Sequence, residues 1–84
     1  MFDQALLDNP PAGDLDITGE TCPMTFVRTR LALDRLAPGQ VLLVRLRGEE
    51  PRSSVPRAAA ELGHAVVAEE MGGDGVTRLL LRRG

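Results

Sequence analysis

The run Val41-Leu42-Leu43-Val44-Arg45-Leu46-Arg47 constrains the fold more than any other stretch. Side chains alternate across a strand, so Leu42, Val44 and Leu46 share one wholly apolar face. Val41, Leu43, Arg45 and Arg47 share the other, which is mixed. Such a strand belongs in a sheet covered by helices on one side and wet on the other. Other runs repeat the theme. Asp14 to Thr18 points Leu15 and Ile17 one way, His64 to Met71 reads as a third strand, and Val76 to Arg82 aims Leu79 and Leu81 at the core. Two helical patterns lie between them. The first runs from about Pro23 to Ala37 and stops at Pro38-Gly39. The second is capped by Ser53 or Ser54, carries Pro56 in its first turn, and stops at Gly63. Gly48 to Pro51 reads as a loop before it, and Gly72 to Gly75 as a turn between the last strands.

The order is βαβαββ, of the α+β class: a two-layer α/β sandwich with a four-stranded mixed sheet and two helices on one face. The first βαβ unit is expected to be parallel and right-handed. The last two strands form a hairpin. The open face carries Arg45, Arg47, Arg78 and Arg82 opposite Asp14, Asp16 and glutamates, a solvated and charge-paired surface. Residues 1–13 read as a flexible N-terminal tail ending in the breaker cluster Asn9-Pro10-Pro11-Ala12-Gly13, and 14–84 as the domain. Within the tail, Phe2, Leu6 and Leu7 could line a short helical turn that folds back onto the domain.

Composition excludes several functions. Eighty-four residues allow one small domain. With two Phe and neither Tyr nor Trp, the core is aliphatic and base stacking is hard to build. A net charge of −2 argues against direct nucleic-acid contact or an anionic membrane surface. Every basic residue is Arg, which removes Schiff-base chemistry on lysine. One cysteine permits no internal disulfide. No run approaches transmembrane length, and the first residues lack the pattern of a signal peptide, so a cytoplasmic location is expected.

The chemistry gathers at Gly19-Glu20-Thr21-Cys22-Pro23-Met24-Thr25. Pro23 suits the first helical position, because its φ matches a helix and its missing N–H would have no partner there. That expectation places Cys22 at the cap, where orphan N–H groups and the positive end of the helix dipole converge. A thiol there ionises more easily than a free one, and the thiolate is the reactive form. A lone cysteine is often only a small buried hydrophobe. A strand-to-helix turn is a solvent-facing edge, however, and ordinary caps are Ser, Thr, Asp or Asn. His64 is the only histidine, and a Cys22–His64 pair needs the fold to bring the two together. No second Cys or further His can build a zinc site, and neither a phosphate loop nor a dinucleotide fingerprint occurs, so no metal and no cofactor are expected. Three uses of the thiol stay open on the residues alone: a persulfide carrier, a redox sensor, or a cap in a regulatory or protein-interaction module without catalysis.

The pattern Leu15-Asp16-x-x-Gly19-x-x-Cys22-Pro23, then Leu36-x-Pro38-Gly39, then Val41-Leu42-x-Val44 resembles the TusA/SirA-like sulfur carriers. The likeness continues through Glu50-Pro51, Val55-Pro56, Leu62-Gly63-His64 and the closing hairpin, over roughly residues 14–83. It implies the βαβαββ sandwich. It also implies a sulfurtransferase in which Cys22 accepts sulfane sulfur as a persulfide from a protein donor, a cysteine desulfurase or a rhodanese. Cys22 then passes it to a protein acceptor serving tRNA thiolation, molybdenum cofactor assembly or sulfur metabolism. Gly19, Pro23 and Thr25 are the supporting residues. Where the family has Cys-Pro-x-Pro, this chain has Cys22-Pro23-Met24-Thr25. Thr25 keeps helical geometry and brings a hydroxyl near the sulfur. Glu20 stands where the family often has Leu, and Ser54-Val55-Pro56 where it often has Asp-Ile-Pro.

The helical wheel of residues 23–37 puts Phe26, Leu33 and Leu36, with Thr29 between them, on the core side. Met24, Val27 and Leu31, flanked by Arg28 and Arg35, fall on the far side. An exposed apolar strip rimmed by arginines beside a reactive thiol fits a partner-docking surface on a monomer. The competing reading covers the strip with Phe2, Leu6 and Leu7.

Overall fold

The computed structural model describes residues 2–21 and 24–84. Its elements are α1 (Phe2–Asp8), β1 (Gly13–Asp16), α2 (Met24–Asp34), β2 (Val41–Arg47), α3 (Glu49–Glu61), β3 (Ala65–Met71) and β4 (Val76–Arg82). The strands form one sheet in the order β1-β2-β4-β3. β1 runs parallel to β2, with Leu15 opposite Val44. β4 lies antiparallel to both β2 and β3, which makes the sheet mixed, and the β3–β4 register shifts between Val66 and Ala68.

The two faces of β2 behave as its alternation requires. On the helical side, Leu42, Val44 and Leu46 join Leu79 and Leu81 of β4, Leu33 of α2, Val55 and Ala59 of α3, and Ile17. On the other side, Val41 and Leu43 meet Leu80 and Phe2, with Ala5, Leu6, Val67 and Ala68 packed around them. α1 therefore lies on the half of that face expected to be open. Asn9 closes α1, its backbone N–H donating to the Ala5 carbonyl at 2.8 Å and its side-chain amide to the same oxygen at 3.1 Å. The segment read as a tail thus contains a helix with a buried Phe2. The remaining half of the face is charged, as expected: Arg45 pairs with Asp14 at 3.0 Å, and Arg78 pairs with Glu70.

Turn chemistry sets the ends of the elements. The Gln40 N–H donates to the Ala37 carbonyl at 3.0 Å around Pro38-Gly39, with Gly39 at φ 89. Proline then glycine at positive φ suits the two central positions of a type II turn. α3 ends on Gly63, also at φ 89, whose N–H bonds to Ala60 while the His64 N–H bonds to Ala59. These are the two crossed bonds of a Schellman stop. α3 begins earlier than Ser53 or Ser54 would have it, at Glu49 after an N-cap at Gly48. Pro51 is tolerated because a first-turn residue needs no N–H partner, and Pro56 then falls inside the helix.

Candidate functional site

β1 ends in a built turn. Asp16 Oδ1 accepts from the Thr18 N–H at 3.0 Å and from the Thr18 hydroxyl at 2.7 Å. The Glu20 N–H then donates to the Ile17 carbonyl at 3.1 Å, closing a four-residue turn. The Thr18 hydroxyl and N–H, helped by Arg45 and Arg47, hold the Asp16 carboxyl below its ordinary range against a small opposing desolvation. Gly19 sits in this turn outside the left-handed region, with no atom of the described residues within 4 Å of where a Cβ would stand. Neither backbone conformation nor crowding by the described residues demands glycine there.

The chain enters α2 through Thr21, whose carbonyl accepts from the Met24 N–H at 2.8 Å and the Thr25 N–H at 3.3 Å. Arg28 reaches back to Glu20 at 2.8 Å and ties the turn to the first turns of the helix. Cys22 and Pro23, and with them the expected cap and first helical position, lie outside the described residues. Thr25, one of the supporting residues, is 1% exposed. Its hydroxyl has no hydrogen-bond partner among the described residues. Thr29 donates its hydroxyl to the Thr25 carbonyl at 2.7 Å.

The buried stripe of α2 is Thr25, Thr29 and Leu33, with Ala32 and Leu36 partly covered. Phe26, read as a core residue, is half-buried instead. Thr29 and Leu33 are buried and Leu36 packs on the core as expected, and at the start of the helix Thr25 takes the buried place expected for Phe26. The far side is exposed: Met24 by 44%, Val27 by 38% and Leu31 by 55%. α1 packs on the opposite face of the sheet, so Phe2 and Leu6 do not cover this strip. Met24, Arg28, Leu31 and Arg35 line a groove of about 280 Å³, completed by Leu15 and Ala32. Val27 is exposed outside it. Ala32 follows the helical spacing of the strip, but helical spacing alone could not find Leu15, because its membership depends on β1 being the sheet edge beside α2.

His64 stands elsewhere. Ala65 pairs with Arg82, which pairs with Val41, so β3 starts at the end of the sheet where β2 begins. Thr21 and Met24, which flank Cys22, follow the other end, where Asp16 pairs with Arg45. Seven strand residues span about 20 Å. His64 Nδ1 instead accepts the Gly84 N–H at 3.1 Å. Among the described residues no group of three or more His, Cys, Asp or Glu is placed to hold a metal ion. No helix among them is long and apolar enough to cross a membrane.

Comparison with known proteins finds relatives in sequence and in fold. The chain is 36% identical over 69 residues to a protein of Archaeoglobus fulgidus, covering 82% of this chain and 78% of that one. It is 37% identical over 59 residues to one of Thermotoga maritima, covering 69% of this chain and 75% of that one. Both are named "Putative sulfur carrier protein". A crystal structure of a SirA-like protein from Desulfitobacterium hafniense has the same fold, with a TM-score of 0.76 and 23% identity, over 86% of this chain and 97% of that one. The family model described as Sulfurtransferase TusA matches residues 13–83, from the first residue of β1 to just past the end of β4. The chain belongs to the TusA sulfurtransferase family.

Proposed function

We propose that this protein is a sulfur carrier that holds sulfane sulfur as a persulfide on Cys22 and relays it between protein partners. The observation that carries the reading is the family match, which includes the strand–turn–helix passage holding the chain's one cysteine. The Cys22 thiolate attacks the terminal sulfur of a donor persulfide. The donor's S–S bond breaks, the donor leaves as a thiolate, and a new S–S bond forms on Cys22. No net oxidation occurs, so no external oxidant or cofactor is needed. Transfer to the acceptor repeats the step in reverse roles. The start of α2 favours this chemistry, because helix N-termini stabilise anionic sulfur. Donors of the cysteine desulfurase or rhodanese type, and acceptors in tRNA thiolation, cofactor assembly or sulfur metabolism, fit the reading. The chain works as a cytoplasmic monomer. Gly19 lets a partner's active site approach the turn, Pro23 sets the start of the helix, and Met24, Val27, Arg28, Leu31 and Arg35 dock the partner.

The test is intact mass. Incubation with cysteine and a cysteine desulfurase, or with a small sulfane donor, adds one sulfur atom that reductant removes. Cys22→Ser never acquires it. A wild-type chain that stays unmodified with several donors is instead an interaction module.

A further inference from the structure

We infer that the groove beside α2 receives an extended segment of a partner protein, added as a strand to the outer edge of β1. The inference deepens the docking role proposed for this flank of α2. β1 is an edge strand, so one side of its backbone is unpaired within the described sheet. An unpaired edge is a template for strand addition unless something covers or blunts it. The groove lies along that edge. Met24, Arg28, Leu31, Ala32 and Arg35 recur along one side of α2, and Leu15 of β1 is the remaining wall. Its middle is apolar and its rims are guanidinium groups. Arg35 makes no ion pair among the described residues, and Arg28 is held by Glu20 at 2.8 Å.

The two faces of β1 prescribe the incoming side chains. Leu15 points to the helical face, and Asp14 and Asp16 to the opposite one. A strand laid beside β1 alternates in the same way. Its groove-facing side chains meet Leu15 and Leu31 between two arginines, which suits an apolar residue flanked by carboxylates. Its other side chains stand on the outer side of Asp14, which Arg45 of β2 pairs at 3.0 Å from the inner side, and of Asp16, so cations suit them better than carboxylates. The occupant is therefore an extended segment with acid–apolar–acid on one face and basic residues on the other.

The probe is a capped peptide, Thr-Glu-Lys-Leu-Lys-Glu-Thr, against its control with Glu and Lys exchanged, Thr-Lys-Glu-Leu-Glu-Lys-Thr. Composition and net charge are the same, so only the alternation differs. The first peptide is expected to bind about tenfold tighter, the order that a few partly screened charge contacts supply. Its binding slows hydrogen exchange of amides within Gly13–Asp16, and Leu31→Glu abolishes it. Equal binding of the two peptides, no protection of β1, or full binding to the Leu31→Glu chain overturns the proposal. A dimer of the chain alone that protects the same amides also overturns it, because the occupant is then a second copy. Neither measurement involves sulfur. Failure here leaves the loading of Cys22 standing, and failure of loading leaves the peptide result intact.

Discussion

Phe2→Ala tests whether α1 is held on the sheet by one side chain. Phe2 is 5% exposed and packs with Val41, Leu43 and Leu80. Burying a side chain of that size contributes about 1.5–3 kcal/mol. The Arg78 guanidinium lies 4.8 Å from the ring centroid, which adds about 0.5–1 kcal/mol at a partly wet site. Opposing this is the cost of ordering α1, about 1–2 kcal/mol per residue before its own hydrogen bonds are counted. A helix of seven residues does not stand alone in water. The net docking free energy is therefore small, and it caps what any one substitution can remove. Phe2→Ala is expected to cost about 1–3 kcal/mol in urea unfolding, less than a Phe→Ala change deep in a core. Leu6→Ala alone should cost less, and the double variant hardly more than Phe2→Ala, because a detached helix has nothing further to lose. Strictly additive losses, or a Phe2→Ala loss below about 0.5 kcal/mol, would refute the reasoning.

Three further outcomes are expected. Val27→Asp with Leu31→Glu should fold normally and take sulfur from a small donor, because both positions are exposed, while transfer from a protein donor falls steeply in a mass-spectrometric exchange assay. Thr25→Val should raise the unfolding free energy by about 1–3 kcal/mol, since it replaces a buried hydroxyl without a described partner by a methyl of the same shape; a fall would mean that the hydroxyl is bonded. Asp16 binds its proton less readily folded than unfolded, so its contribution is present above the unfolded value of about 3.9 and lost as pH falls through the lower folded value. Melting curves of wild type and Asp16→Asn should therefore converge as pH drops below about 4 and separate above it.

Much of the fold could be read from local pattern. The bounds of β2 and β4 are those that alternation and the flanking turns indicate, because one wholly apolar face leaves a strand a single register. Gly63 ended α3 where a positive φ was needed, a local requirement visible in residue type, whereas α2 stopped at Asp34, short of the expected Ala37, and Pro38-Gly39 makes the turn that follows it. The start of α3 was not legible in the same way. Glu49, Glu50 and Pro51 look like a loop in isolation, but the acids suit a helix N-terminus and the proline needs no donor in the first turn. The exposed strip of α2 was legible from helical spacing, and its exposure follows from where the two helices pack.

The sequence by itself determined the βαβαββ order from β1 to β4, the two faces of each strand, and the position of the single cysteine between a strand and a helix, since each rests on residue type within a few neighbours. Tertiary structure alone decided three things. It put Phe2 on the mixed face of the sheet, because Val41, Leu43 and Leu80 become one apolar patch only after β2 and β4 pair. It turned α2 so that Thr25 rather than Phe26 leads the buried row, because the rotation of a helix is set by the sheet beneath it. It set His64 at the far end of the sheet from Thr21 and Met24, because the direction of β3 depends on its pairing with β4. In each case the deciding contact joins residues far apart in the chain, and no local window contains both partners.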